Sequence, residues 1–337
     1  MTMDLQTGDR RPALRYGARI RLLAPGVVLS FVVAAAATFL NEHYGAPVML
    51  FALLLGMALN FLATDARAAP GIEFTAKRLL RVGVALLGAR ITFVQMTELG
   101  AAPVILVIVS LVATIGFGIA LALLAGRRWS FGMLTAGSVA ICGASAALAI
   151  SAVLPRGKDN ERDTLMTVVA VTGLSTLAMI IYPIVFRELG FDDLGIGVLL
   201  GATIHDVAQV VGAGYAVSAE AGDAATLVKL LRVALLPVVV LTLAFTINRN
   251  SGARAPLPLF ALAFVLILAL NSAGLIPTLV QTAMVDASRW LLVAAIAALG
   301  IKTSLQAMFE GGPALLLIIL MQTLFLGVVA TGLFTIL

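Results

Sequence analysis

Polar residues in this chain fall in short clusters, separated by long apolar runs near 22–40, 46–63, 76–96, 101–125, 130–154, 164–186, 194–216, 224–247, 257–275, 286–308 and 313–336. Nothing in these runs alternates with the period of a half-buried strand. Each is long enough, as a helix, for a hydrocarbon core of roughly 30 Å. Strands of a membrane barrel are about ten residues long and alternate in polarity, so a barrel is excluded. The pattern predicts an all-α polytopic membrane protein of about eleven transmembrane helices.

Composition narrows the function classes. The 337 residues are 61% hydrophobic and 12% charged, with a mean hydropathy of +1.09. A soluble fold exposes too much surface to hide that much apolar material. A cytoplasmic enzyme, a nucleic-acid-binding module and a disordered chain are excluded. The net charge of +5 sits mostly between apolar runs, so it reads as a topology signal and not as a nucleic-acid patch. Cys142 is the only cysteine, and His43 and His205 are far apart, so no disulfide or metal cluster is indicated. No Walker-type glycine loop or HExxH motif is present, and neither an enzyme nor an ATP-driven pump is expected. No cofactor is implied.

The charge of the loops orients the chain. Residues 1–21 carry Arg10, Arg11, Arg15, Arg19 and Arg21 and read as a cytoplasmic tail ahead of a retained helix at 22–45, not a cleaved signal. With the N-terminus inside, the cytoplasmic side also collects Arg67, Lys77, Arg78, Arg127, Arg128, Arg187, Arg249 and Arg254, while loops near 41–45, 217–223 and 276–285 hold no Lys or Arg. The C-terminus then lies outside. One loop disagrees: 156–163 holds Arg156, Lys158 and Arg162, yet this count places it outside.

Two short matches suggest an internal repeat. Leu54-Leu55-Gly56-Met57-Ala58-Leu59-Asn60 parallels Leu199-Leu200-Gly201-Ala202-Thr203-Ile204-His205, and Arg78-Leu79-Leu80-Arg81-Val82 parallels Lys229-Leu230-Leu231-Arg232-Val233. They stand five runs apart, an odd number, so the copies are inverted. The expected organisation is an extra first helix followed by two inverted five-helix repeats, 46–190 and 191–337. Secondary transporters are built this way, with sites at the repeat interface.

Candidate site residues follow from this frame. The fifth run holds Cys142-Gly143-Ala144-Ser145-Ala146, and the tenth holds Gly300-Ile301-Lys302-Thr303-Ser304. Breaks at Gly143 and Gly300 would free backbone N–H groups at half-helix N-termini, which attract anions. The competing explanation is close packing through small residues. Lys302 in an apolar run marks an ion path, or else snorkels to the interface. His205 and Asp206, with Gln209 one turn on, form a candidate proton-coupling group, and Asn60 is expected to face the same centre. Arg90, Arg81 and Arg232 offer guanidinium forks for oxyanions. Cations, Lys229 included, outnumber the one intramembrane acid, Asp206, which favours an anionic substrate. The alternative is a cation/proton antiporter using Asp206.

Leu86-Leu87-Gly88-Ala89-Arg90-Ile91-Thr92-Phe93, Ile141-Cys142-Gly143-Ala144-Ser145-Ala146, Ile204-His205-Asp206-Val207-Ala208-Gln209-Val210-Val211 and Lys229-Leu230-Leu231-Arg232-Val233 resemble the YeiH-type sulfate exporter family of bacterial inner-membrane proteins. The stretch Leu148–Pro155 departs from that pattern. The resemblance implies a transporter related to cation/proton antiporters and bile-acid symporters, with inverted repeats, crossing discontinuous helices, elevator motion and a homodimer. Its partners would be a small inorganic or organic anion and the lipid bilayer.

Overall fold

A computed structural model of the chain describes residues 12–44, 48–92, 94, 100–155, 160–247, 259–303 and 313–337. In chain order the helices are α1 (Pro12–Tyr44), α2 (Val48–Ala58), α3 (Ala69–Phe74), α4 (Leu80–Leu86), α5 (Ala102–Leu124), α6 (Trp129–Ala140), α7 (Ala144–Ser151), α8 (Asn160–Glu188), α9 (Asp193–Thr203), α10 (Val207–Val217), α11 (Ala219–Ile247), α12 (Leu259–Ser272), α13 (Thr278–Lys302) and α14 (Pro313–Ile336). A 3-10 turn, Asn60–Thr64, extends α2. A π-turn, Thr75–Leu79, joins α3 to α4 in one rod that finishes in the 3-10 turn Leu87–Ala89. Among the described residues, six helices are long and apolar enough to cross a membrane: α1, α5, α8, α11, α13 and α14. The described residues form no strand.

Among the described residues, the fifth and seventh apolar runs each fold back on themselves. The fifth is α6 and α7, which fold back on each other: a side chain at Gly137, near the end of α6, would meet Ile150, near the end of α7. Arg127 and Arg128 before this hairpin and Ser151, Leu154, Asn160 and Asp163 after it border one surface cleft. The seventh run is α9 and α10. Gly197 in α9 and Gly214 in α10 both lie against Ala221 at the start of α11, so this run also returns to the end it entered from. The two hairpins enter from opposite ends of the bundle, and their bends meet near its middle: a Cβ at Gly143 would contact His205.

The first hairpin corrects the awkward loop. Arg127 ahead of α6 forms an ion pair with Asp163 in α8 at 2.9 Å, so residues flanking 156–159 lie on the face that carries Arg127, not on the opposite one. Arg187 moves the other way. It sits near the far end of the 29-residue α8, about 40 Å from its start at 1.5 Å per residue.

The tenth run holds the second correction. α13 passes through Gly300 without a break. Gly300 instead lies against the backbone of Leu53, Gly56 and Met57 in α2. The small-residue explanation holds there, since any side chain would drive the two helices apart. Gly26 of α1 and Gly71 of α3 make the same kind of close approach, which fastens the first helix to the bundle.

The α6–α7 hairpin sets the result of a labelling experiment. In a Cys142→Ala background, Arg128→Cys and Arg162→Cys react with a membrane-impermeant maleimide from the same side of oriented vesicles. Labelling from opposite sides would show that the fifth run crosses.

Candidate functional site

Each hairpin bend leaves a helix C-terminus buried at mid-bundle, and the last carbonyls of such an end have no intrahelical partner. At the first bend Gly143 adopts φ 60° and ψ −125°, a region open to glycine, and its N–H bonds back to Ser138 at 2.8 Å. At the second, Ile204 and Asp206 are extended. The orphaned carbonyls are capped from α11. Lys229 Nζ donates to Ile141 (2.7 Å) and to Ile204 (2.9 Å), one carbonyl from each hairpin. Arg232 donates to Ala140 (2.9 Å), Val139 (2.8 Å), Gly201 (3.2 Å) and Ile204 (3.1 Å). Both side chains are at most 1% exposed. Cations at the negative ends of two helix dipoles satisfy carbonyls and charges together.

The other half of each hairpin presents the opposite pole. The first intrahelical bond of α7 is Ala147 N–H to Gly143 (3.0 Å), and that of α10 is Val210 N–H to Asp206 (3.1 Å). The amides of Ala144, Ser145 and Ala146, and those at the start of α10, precede these bonds. Both N-termini border two adjoining cavities of about 940 and 460 Å³ that share Arg81, Ser145, Leu148, Asp206, Val207 and Phe260. Cys142 and Arg78 line the larger; Ala144, Lys77, Lys302 and Thr303 line the smaller. Asp206 is the one acid among the described lining residues. Its backbone N–H is held by Ser175 Oγ (3.1 Å) and its carboxylate accepts from Ala208 N–H (3.4 Å). The space is therefore cationic, with two electropositive helix ends in its wall.

The other expected site residues are dispersed. His205 is fully buried behind the bend, its Nε2 2.9 Å from Thr323 Oγ1. It lines neither cavity. Gln209 Nε2 donates to Thr176 (3.4 Å), also out of the cavities. Ala146 is buried in the hairpin. Asn60 does not face the centre: its amide caps the end of α13 by donating to the carbonyls of Ile301 (2.7 Å) and Thr303 (3.1 Å). Lys302 sits at the cavity rim, ion-paired with Glu73, which also pairs with Lys77. Arg90 lies at the other end of the bundle, bonded to Asp223 (2.9 Å), which accepts from Tyr215 (2.5 Å). This tie joins the end of the α3–α4 rod to the α9–α10 hairpin and α11. Ser304 is outside the described residues.

The second bend, at 204–206, is missing from the sequence expectation, as is the capping role of Lys229. Its signal was available: two cations one helical turn apart in an apolar run require carbonyls or acids nearby, and Asp206 alone could not serve both.

Removing that cap exposes its energetic weight. Lys229→Met strips a charged donor from two buried carbonyls, each such bond contributing about 1.5–3 kcal/mol. The expected result is a loss of about 3 kcal/mol or more, read as a clear fall in the unfolding temperature in detergent. Arg78→Met, at the exposed cavity mouth, leaves that temperature nearly unchanged.

Comparison with known proteins places the chain. The family described as Conserved hypothetical protein 698 matches residues 25–319. UPF0324 membrane protein TauZ of Paracoccus denitrificans is 53% identical over 315 residues, covering 91% of this chain and 93% of that protein. A UPF0324 membrane protein of Chlorobaculum tepidum is also 53% identical over 315 residues (91% and 88%), and one of Rhizobium meliloti is 51% identical over 333 residues (97% and 96%). These matches fit the resemblance read from the Cys-Gly-Ala-Ser-Ala and His-Asp-Val-Ala-Gln-Val-Val segments. The chain, a multi-pass membrane protein, belongs to the Conserved hypothetical protein 698 family, whose relatives carry the name UPF0324 membrane protein.

Proposed function

We propose that this protein is a secondary transporter of a small anion, exporting sulfate or a sulfonate-like species across the bacterial inner membrane by alternating access of the elevator type. The anion sits between the N-termini of α7 and α10, against Ser145 and Arg81. One observation carries this reading. The negative ends of both hairpins are neutralised by Lys229 and Arg232, while the positive ends face a cavity bordered by Arg78, Arg81, Lys77 and Lys302. Helix N-termini and guanidinium groups are the usual ligands of oxyanions.

Other features support the reading. The cavity opens toward the end that carries Lys77, Arg78 and Arg127, the cytoplasmic end when the N-terminus is inside and the C-terminus is periplasmic. The Arg90–Asp223–Tyr215 tie stands at the opposite end and would have to open for release. Each half of the chain, 46–190 and 191–337, contributes one hairpin, and the two enter from opposite ends. That supports an inverted relation between the halves, although the hairpin is the fourth run of one half and the first of the other. The assembly proposed is a homodimer in the bilayer.

Cation/proton antiport at Asp206 is the alternative. It rests on one carboxylate in a space lined by Arg78 and Arg81 and by Lys77 and Lys302, the two lysines being paired with Glu73. In proteoliposomes, labelled sulfate accumulates in exchange or down its gradient. Arg81→Ala and Ser145→Ala each lower the rate, the arginine by about tenfold or more, as loss of one charge-assisted contact implies. Unchanged transport in both variants removes the proposed site. Alkalinisation driven by Na⁺ or K⁺ alone favours the antiporter.

A further inference from the structure

The cavity contains an acid where an anion is proposed to bind, and the two cannot share that place. The Asp206 carboxylate is the N-cap of α10 and accepts from the Ala208 N–H. It already occupies the electropositive end that an incoming anion would use. It lies in the wall of both cavities beside Ser145 and Val207. From this geometry we infer that Asp206 is a tethered competitor of the transported anion, so the anion binds only when Asp206 carries a proton and the two cross the membrane together. The inference rests on the anion-transport reading of the same cavity.

The charges around Asp206 permit this exchange. Lys229, behind the bends, and Arg81, across the cavity, act on its carboxylate. Arg78 and Cys142 share the larger cavity with it, and Lys77 and Lys302 the smaller. From α8 the neutral Ser175 faces this residue, its Oγ accepting from the Asp206 backbone N–H. Lys229 is committed to the carbonyls of Ile141 and Ile204, and Lys302 and Lys77 to Glu73. Without an anion, the neighbouring cations draw the carboxylate toward its ionised form. When a substrate oxyanion takes that place, two negative charges would compete for the same amides, and repulsion between like charges favours protonation of the carboxylate. The proton comes from cavity water and adds to a carboxylate oxygen, and it leaves by the reverse step when the anion departs. His205 is not part of this exchange, because it faces Thr323 behind the bend and borders neither cavity. The structure thus separates two residues that are adjacent in sequence: Asp206 carries the proton and His205 serves packing.

Coupling of this kind is reciprocal and has a sign. Each step up in pH that ionises Asp206 weakens the anion, by about tenfold per pH unit once the carboxyl is mostly ionised. Radiolabelled inorganic sulfate, bound at equilibrium to purified protein over a pH series, tests it. Wild type is expected to bind sulfate tightly at low pH and to lose affinity with that slope as pH rises. Asp206→Asn keeps a good N-cap for α10 and should hold the tight affinity at every pH. In proteoliposomes it should still exchange sulfate but no longer move protons with it. His205→Gln should keep the wild-type slope. If Asp206→Asn retains the pH slope, or if sulfate drives protons in it as in wild type, the inference fails while the anion site stands. If wild type binds no sulfate at any pH while the protein stays folded by its thermal transition, the anion-site reading fails and the inference with it.

Discussion

Everything at the centre of this bundle depends on how two buried helix C-termini are satisfied. A helix that stops at mid-membrane leaves carbonyls where no bulk water reaches, and each unsatisfied group costs several kcal/mol. A lysine or arginine carried into the same region has the reverse difficulty. Here each resolves the other: Lys229 and Arg232 deliver six bonds to carbonyls of the two hairpins. Lys229 bonds one carbonyl on each bend, so it also joins them. The arrangement divides the electrostatics. With the negative poles neutralised from behind, the positive poles of α7 and α10 face the cavity without opposition other than Asp206.

That division assigns different work to residues of the same chemical type. Arg232 and Arg81 occupy matching places in the short sequence repeat, yet Arg232 is 1% exposed and caps carbonyls, while Arg81 lies in the cavity wall. The extended bend at 204–206 turns His205 toward α14 and leaves Asp206 at the cavity. Arg90 is spent on the far-end tie with Asp223 and Tyr215. Cation count alone therefore says little about a binding site. What matters is which cations remain once carbonyls and acids have been matched.

Much of this was legible in the residues. The apolar runs identify helices in a membrane, because burying unpaired backbone in lipid allows little else. The break at Gly143 was legible because a run of small and hydroxyl residues around a glycine permits a backbone that others do not. Even the hairpin left a trace, since three basic residues at 156–163 did not belong on the face to which a straight fifth helix would carry them. The same glycine signal misled at Gly300, where the missing Cβ serves contact with Gly56 in place of a bend.

Sequence by itself determined the solvent, the helices and the presence of costly charges inside them, because hydropathy and backbone preference are summed over neighbours in the chain. Only the tertiary structure decided which runs cross and which turn back, and which charges remain for a ligand. A straight rod and a folded one have the same local composition, and the group that makes the fold possible is remote: Lys229 reaches Ile141 from 88 residues away. Long-range partners of that kind leave no periodicity to read, so the direction of each hairpin and the electropositive cavity between them exist only once the bundle is assembled.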